Sequence, residues 1–360
     1  MGTHRIWDGI LSTPTQDGDP SRLALALDRA GQLAFATPAD APAPLAPRVP
    51  DDPAARLGRL EPETAVALAG GEFAGLLSLR LRADLSRPPA EVLVGTDALL
   101  TLAPPAVEDL AAAVGFVRQA ATEREWRIPE IVAQANGFLP FLGSAADINP
   151  SRRRWTRLLL VALHDAVVGI ETRVKFHASL PRPQDFDPNL RPIVPTPAHS
   201  TWPSGHATEA FAAATAIAAL RLAGEGQDPV VALQEGLAGD GLDPVAQALF
   251  GAAARIAENR VVAGLHFPVD NASGALLGVA TALALVAAMA GQGSALRAWN
   301  TEGAPWQGRF DLERWLAWLP GAAPDPEATV PAPGLPEGSV LPFLWKQAVA
   351  EWGGTPEVER

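Results

Sequence analysis

The sequence predicts an all-α protein, a helical bundle whose helices are joined by long proline-rich loops. Two observations carry this expectation. Hydrophobic residues fill 48% of the 360 positions, with alanine and leucine prominent and aromatic residues only 6%, which favours helix and supplies a sizeable core. Several long stretches also repeat their apolar residues every three or four positions, the spacing of one helix face.

Taken in order, residues 1–60 are rich in Pro, Ala and Asp and read as loop, with short structure over Arg22–Phe35. Residues 62–83 and 105–121 have helical apolar spacing. Pro104 and Pro105 precede the second, and Glu108 and Asp109 sit in its first turn, where the helix dipole favours them. Trp126 to Leu142 predicts a short helix and a loop. Asn149-Pro150-Ser151 opens a long helix whose stripe includes Trp155, Leu158, Leu159, Ala162 and Ala166, with His164 and Asp165 midway and Lys175 near its end. A proline-dense connection runs from Pro181 to Pro203, and a loop of that length is usually functional. Helices are expected at about 204–223, 243–262 and 268–291, with Pro268 suited to a first turn. The tail, with Trp315, Trp318, Trp345 and Trp352, is expected to pack back through one or two short helices. The division is an N-terminal region, 1–148, a core, 149–295, and a C-terminal segment, 296–360, forming one compact unit.

The formal net charge of −12 and the lack of a long basic run argue against nucleic acid as a partner. With no cysteine there are no disulfides or thiolate metal sites. Tyrosine is absent too, and Met289 is the single internal methionine. The N-terminus shows no hydrophobic signal region, so the expected location is cytoplasmic, or exported with a leader already removed. Asn271–Leu296 carries no charge and is long enough to span a bilayer. Its Ala/Gly composition and the polar residues of the other core helices favour a soluble protein with no membrane partner. Homo-oligomerisation is left open.

The chemistry concentrates in residues 175–206 and 259–270. In order they give Lys175, Arg182-Pro183, Pro203-Ser204-Gly205-His206, Asn259-Arg260, and His266 with Asp270 four residues on. Three cations, a Ser/Gly turn and two histidines suit a tetrahedral or trigonal oxyanion. Lys175 and Arg182 supply fixed charge, and a guanidinium fork matches oxyanion geometry. Ser204 and Gly205 would stand at a helix N-terminus, where free N–H groups favour negative charge. His206 is placed as an acid/base. His266 is placed as nucleophile or metal ligand, with Asp270 able to orient its second nitrogen. Lys175 and Lys346 are the only lysines, so a lysine at 175 points to a specific task.

Lys-x6-Arg-Pro, Pro-Ser-Gly-His and Arg-x5-His-x3-Asp, in this order over roughly residues 150–290, resemble the three-part signature of the type 2 phosphatidic acid phosphatase (PAP2) superfamily. That superfamily spans soluble acid phosphatases, membrane lipid phosphatases and vanadium-dependent haloperoxidases. Asn259 departs from it, standing where serine is usual, although an asparagine can still hydrogen-bond an oxyanion. The resemblance implies a PAP2-type helical bundle. It also implies vanadate, or phosphate in the same pocket, bound to His266 and held by Lys175, Arg182, Ser204, Gly205 and Arg260. His206 would assist deprotonation of hydrogen peroxide, bromide or iodide would be oxidised, and a small organic acceptor would be halogenated. The alternative is an acid phosphatase acting on phosphate monoesters, with His266 attacking phosphorus and His206 protonating the leaving group. A non-catalytic oxyanion-binding protein is a third reading. His199, five residues before Ser204, takes the position that lines the halide pocket in the haloperoxidases. Thr172 and Arg173 stand where those enzymes often carry tryptophan, which favours the phosphatase.

Overall fold

The computed structural model describes residues 56–353 apart from 58, 59, 61, 82–88, 324 and 326. The element expected over Arg22–Phe35 and the loop reading before residue 56 lie outside that range. The fold is predominantly helical, as expected, with a four-stranded and a two-stranded sheet beside the bundle.

The N-terminal region supplies α1 (Pro62–Leu76), β1 (Ser78–Leu81), β2 (Ala90–Val94), β3 (Asp97–Leu102), α2 (Val107–Ala121), α3 (Arg124–Asn136) and the single turn α4 (Leu139–Leu142). The helix expected over 62–83 therefore stops at Leu76. From Ser78 the residues alternate between exposed and half-buried, a period of two, and pair antiparallel with β2. β2 and β3 form a hairpin through Gly95 and Thr96. Gly95 has a φ of 58°, a left-handed conformation that glycine adopts without steric cost.

The core is built from α5 (Arg154–Ala178), α7 (Gly205–Gly224), α9 (Pro244–Val262) and α10 (Pro268–Ala290). All four fall within a few residues of their expected bounds. Between them lie the short helices α6 (Pro183–Phe186) and α8 (Pro229–Glu235). α7 and α10 are buried along almost their whole length. They cross closely because α10 presents glycines there. A Cβ added at Gly274 would lie 2.6 Å from the Ser204 carbonyl oxygen, and one at Gly278 would overlap the Thr208 carbonyl and lie 2.9 Å from Ala212 N. Backbone meets backbone at this crossing, so packing rather than propensity dictates glycine.

α10 is the one helix among the described residues that is long and apolar enough to cross a membrane, with a mean hydropathy of 2.0. Every residue of that apolar window is buried inside the bundle.

The C-terminal segment contacts the four-stranded sheet and the bundle helices. β5 (Trp299–Asn300) adds to β3 in parallel, and β4 (Leu296–Arg297) pairs with β6 (Thr329–Val330). In α11 (Leu312–Ala322), the wholly buried Trp315 donates its indole N–H to Ala272 O at 3.1 Å and stacks 4.9 Å from Phe211. After α12 (Leu341–Ala350), the Glu351 carboxylate accepts from the backbone N–H groups of Trp155 and Thr156, each at 2.8 Å. The first turn of α5 thus finds its partners in the tail, with the anionic group at the positive helix end.

Candidate active site

Four helix ends and one loop meet at the pocket. Lys175 lies in the last turn of α5, only 2% exposed, and its Nζ donates to the Pro203 carbonyl just ahead of α7. Ser204 is the N-cap of α7, and its backbone N–H donates to Asp270 O at 2.9 Å, which locks the start of α7 to the start of α10. Arg182, 4% exposed, caps the single turn α6 and spreads its fork over backbone carbonyls, reaching Leu265 O at 2.9 Å and His199 O at 3.1 Å. Arg260 is 1% exposed in the last turn of α9 and donates to Ile131 O at 3.0 Å and to Gln134 Oε1 at 3.3 Å.

His266 and Asp270 form the pair that their spacing suggests. The Nδ1 of His266 is 3.2 Å from Asp270 Oδ2. The same oxygen accepts from the Phe267 backbone N–H at 2.8 Å and from the Thr201 hydroxyl at 2.5 Å. With Nδ1 facing a carboxylate, the proton sits there and Nε2 keeps its lone pair. Burial lowers the His266 pKa well below its ordinary value, and the charges of Arg182, Lys175, His199 and Arg260 push in the same direction. The ring is therefore neutral, and four cationic or titratable groups converge on it. Burial raises Asp270 to about 6, even though the Thr201 hydroxyl and the Phe267 N–H favour its ionised form.

His206, in the first turn of α7, has its pKa lowered to about 3, chiefly by burial and next by Arg260. Its ring lies 6.2 Å from that of Phe138. The buried pocket atoms without a hydrogen-bond partner include Ser204 Oγ, His206 Nε2 and Arg260 Nε, along with Asp270 Oδ1. Buried polar groups are almost always paired, and a hydroxyl, an imidazole nitrogen and a guanidinium N–H are the donors and acceptor that a bound oxyanion would satisfy.

The expected site residues Lys175, Arg182, Ser204, Gly205, His206, Arg260, His266 and Asp270 come together. Asn259 does not join them as an oxyanion donor. Its Nδ2 donates to Gln134 Oε1 at 2.9 Å and its Oδ1 accepts from Arg127 at 3.1 Å, so both ends of the amide are taken. Its place is behind Arg260, tying α9 to α3. His199 sits at the rim and is exposed. Its Nδ1 lies 3.1 Å from the Ser200 carbonyl and 3.3 Å from Arg182.

Sequence reasoning missed several participants. Thr201 supports Asp270 from the loop. Gln134 and Ile131 fix Arg260 from α3, which gives the N-terminal region a direct part in the pocket. Arg124 binds the Val262 carbonyl at 2.9 Å and the Leu190 carbonyl at 2.9 Å, joining the end of α9 to the loop. Glu171 and Glu209, both buried, stand behind Gly205. A separate cavity of about 620 Å³ lies between α2, the start of α10 and Trp306, and no residue of the cationic pocket lines it.

A family model described as the PAP2 superfamily matches residues 155–293. That segment belongs to the PAP2 superfamily. The matched span runs from the first turn of α5 to just past α10, so it holds every pocket residue named above except Phe138 and those that α3 contributes. No curated protein matches the chain. Members of this superfamily are generally enzymes of phosphoryl-transfer or haloperoxidase type.

Proposed function

We propose that the protein is a vanadium-dependent haloperoxidase that uses hydrogen peroxide to oxidise bromide or iodide. The reading rests on three of the orphaned buried atoms, Ser204 Oγ, His206 Nε2 and Arg260 Nε, beside a neutral His266. They fit vanadate: His266 Nε2 would be its ligand, and Lys175, Arg182, Arg260, Ser204 and the Gly205 N–H would hold its oxygens. Bound vanadate would supply Lewis-acid activation of peroxide. The residues of this chain do the rest. The cations withdraw charge from the oxygens they hold, at positions fixed in advance by their backbone bonds. Asp270 keeps the His266 proton on Nδ1. His206, neutral near pH 7, takes a proton from hydrogen peroxide at Nε2, and an arriving anion strengthens that basicity.

A phosphatase would use the same residues, with His266 Nε2 attacking phosphorus as the P–O bond to the leaving group breaks. That route needs His206 protonated beforehand to donate to the leaving oxygen. Burial and Arg260 hold the His206 pKa down, so on this route the bound phosphate would first have to raise it. Thr172 and Arg173, in place of a tryptophan, favour the phosphatase. For the halide, a second imidazole at the rim, His199, adds a titratable group near Arg182, and bromide and iodide are expected over chloride.

The deciding experiment titrates the metal-free protein with vanadate and follows bromide oxidation and p-nitrophenyl phosphate hydrolysis in parallel. Bromide oxidation that saturates with vanadate is the expected result. Phosphate ester hydrolysis inhibited by vanadate, with no halide oxidation, would establish the phosphatase instead. His199→Phe is expected to change halide preference and the pH profile; an unchanged preference would remove His199 from the halide site.

A further inference from the structure

Behind the pocket, Glu171 of α5 and Glu209 of α7 converge on Gly205. A Cβ built there would meet Glu171 Oε1 at 2.8 Å and Glu209 Oε1 at 3.3 Å, so these two oxygens are no more than about 6 Å apart. Both side chains are buried, at 5% and 7% exposure. Glu209 is held by His164, whose Nε2 lies 3.0 Å from Oε2. Glu171 has no such clamp: its Oε2 is buried without a hydrogen-bond partner. Glu171 also faces the Thr208 hydroxyl from α7 and Lys175 and His164 from its own helix. Beyond Lys175 stand Arg182 and Asp270.

We propose that Glu171 and Glu209 share one proton, carried on Glu171, and that Glu171 is a positioning residue whose proton couples oxyanion binding to pH. The inference rests on the reading of the pocket as an oxyanion site. Two carboxylates this close in a dry interior do not both ionise. Glu209, paired with His164, is the one that keeps its charge. Burial opposes a charged His164, but its bonds with Asp165 and Glu209 prevail and lift it to about 9. Burial, then the charge of Glu209, raises Glu171 to about 8, with Lys175 pulling against them.

The consequence falls on Gly205. An anion held at the α7 N-terminus sits with the Glu171 carboxyl on the other side of a residue that has no side chain. A neutral carboxyl leaves the helix end positive, whereas an ionised one opposes the anion. Anion binding therefore favours the protonated form of Glu171, and affinity falls as pH rises through its pKa.

The test uses molybdate, a tetrahedral dianion whose charge is constant over the range probed, and calorimetry on the native protein and on Glu171→Gln. Native affinity is expected to drop about tenfold for each pH unit above roughly 8, and binding there is expected to take up a proton, seen as a heat that depends on the buffer. Glu171→Gln is expected to bind without that drop. If the drop persists in Glu171→Gln or moves to lower pH, Lys175 is the titrating group and the inference falls. If the native protein takes up no proton near pH 8, it falls even should the variant fail to fold. Lack of molybdate binding at every pH would overturn the oxyanion reading, and this inference with it; binding with the same pH dependence in both proteins would overturn this inference alone.

Discussion

Thr201 is wholly buried, and its hydroxyl donates to Asp270 Oδ2 at 2.5 Å, while the other oxygen of that carboxylate, Oδ1, has no partner. Replacing Thr201 with valine keeps the shape and removes the donor. The carboxylate then keeps two donors, the Phe267 N–H and the His266 Nδ1–H. A hydrogen bond to a buried charge is worth about 1.5–3 kcal/mol and one to a neutral partner about 1. The penalty should therefore depend on pH. Asp270 has its folded pKa raised to about 6, and the Thr201 bond is among the contacts that keep it from rising further. Above that pH the carboxylate is ionised and the lost bond is the strong kind. Below it the carboxyl is protonated and the lost bond is the weak kind. Thr201→Val is thus expected to cost about 2 kcal/mol near pH 8 and about 1 kcal/mol near pH 5, with Asp270 titrating at higher pH in the variant. Urea unfolding at both pH values measures this directly. Activity should fall roughly 10–100-fold, the usual effect of removing support behind a liganding histidine. An equal cost at both pH values would refute the claim that the bond favours the ionised form.

Other substitutions test the pocket and its frame. His266→Ala is expected to abolish vanadate retention and turnover, whereas His206→Ala should keep the anion and lose about 10²–10⁴-fold in rate; equilibrium dialysis beside turnover separates the two. Lys175→Arg should fail, because the buried ammonium fits a space bounded by the Pro203 carbonyl that a planar fork cannot enter; near-native kinetics would refute a specific role for the lysine. Gly278→Ala should destabilise by about 3 kcal/mol or more by forcing α10 off the Thr208 carbonyl, measured by urea unfolding, and an effect under about 1 kcal/mol would show that the crossing yields.

The core helices were legible in the sequence because their signals are local. The stripe from Trp155 to Ala166, the Ser204 cap and Pro268 each act within a turn or two of their own positions. The pocket cations were legible from their spacing, Lys175 to Arg182 and Arg260 to His266, and from the use of lysine at only two positions. What escaped was set by distance along the chain. Gln134 meets Arg260 126 residues away, and Glu351 caps a helix that starts near residue 154, so no local pattern marks either contact. The sheet was missed because Leu is the commonest residue of its strands and serves a helix equally well; Gly95-Thr96 between two apolar runs was the hairpin signal. Asn259 read as an oxyanion donor from its place beside Arg260, yet residues adjacent on a helix point about 100° apart, and its side chain faces α3 instead.

The Ser204–Asp270 backbone bond makes the positive ends of α7 and α10 a single joint, and the glycine-lined crossing behind it leaves no slack between the two helices. A joint of this kind cannot close around a substrate as a hinged domain does. Whatever enters must fit a shape cast when the chain folded, and selection among ligands falls to the loop at the rim, where His199 stands. The two demands on the sequence are thereby separated. Residues along the α7–α10 contact answer to packing and tolerate almost no volume change, while the exposed residues 195–199 of the Pro181–Pro203 loop carry no such packing constraint. New ligand preferences in this scaffold should therefore be sought first in that loop.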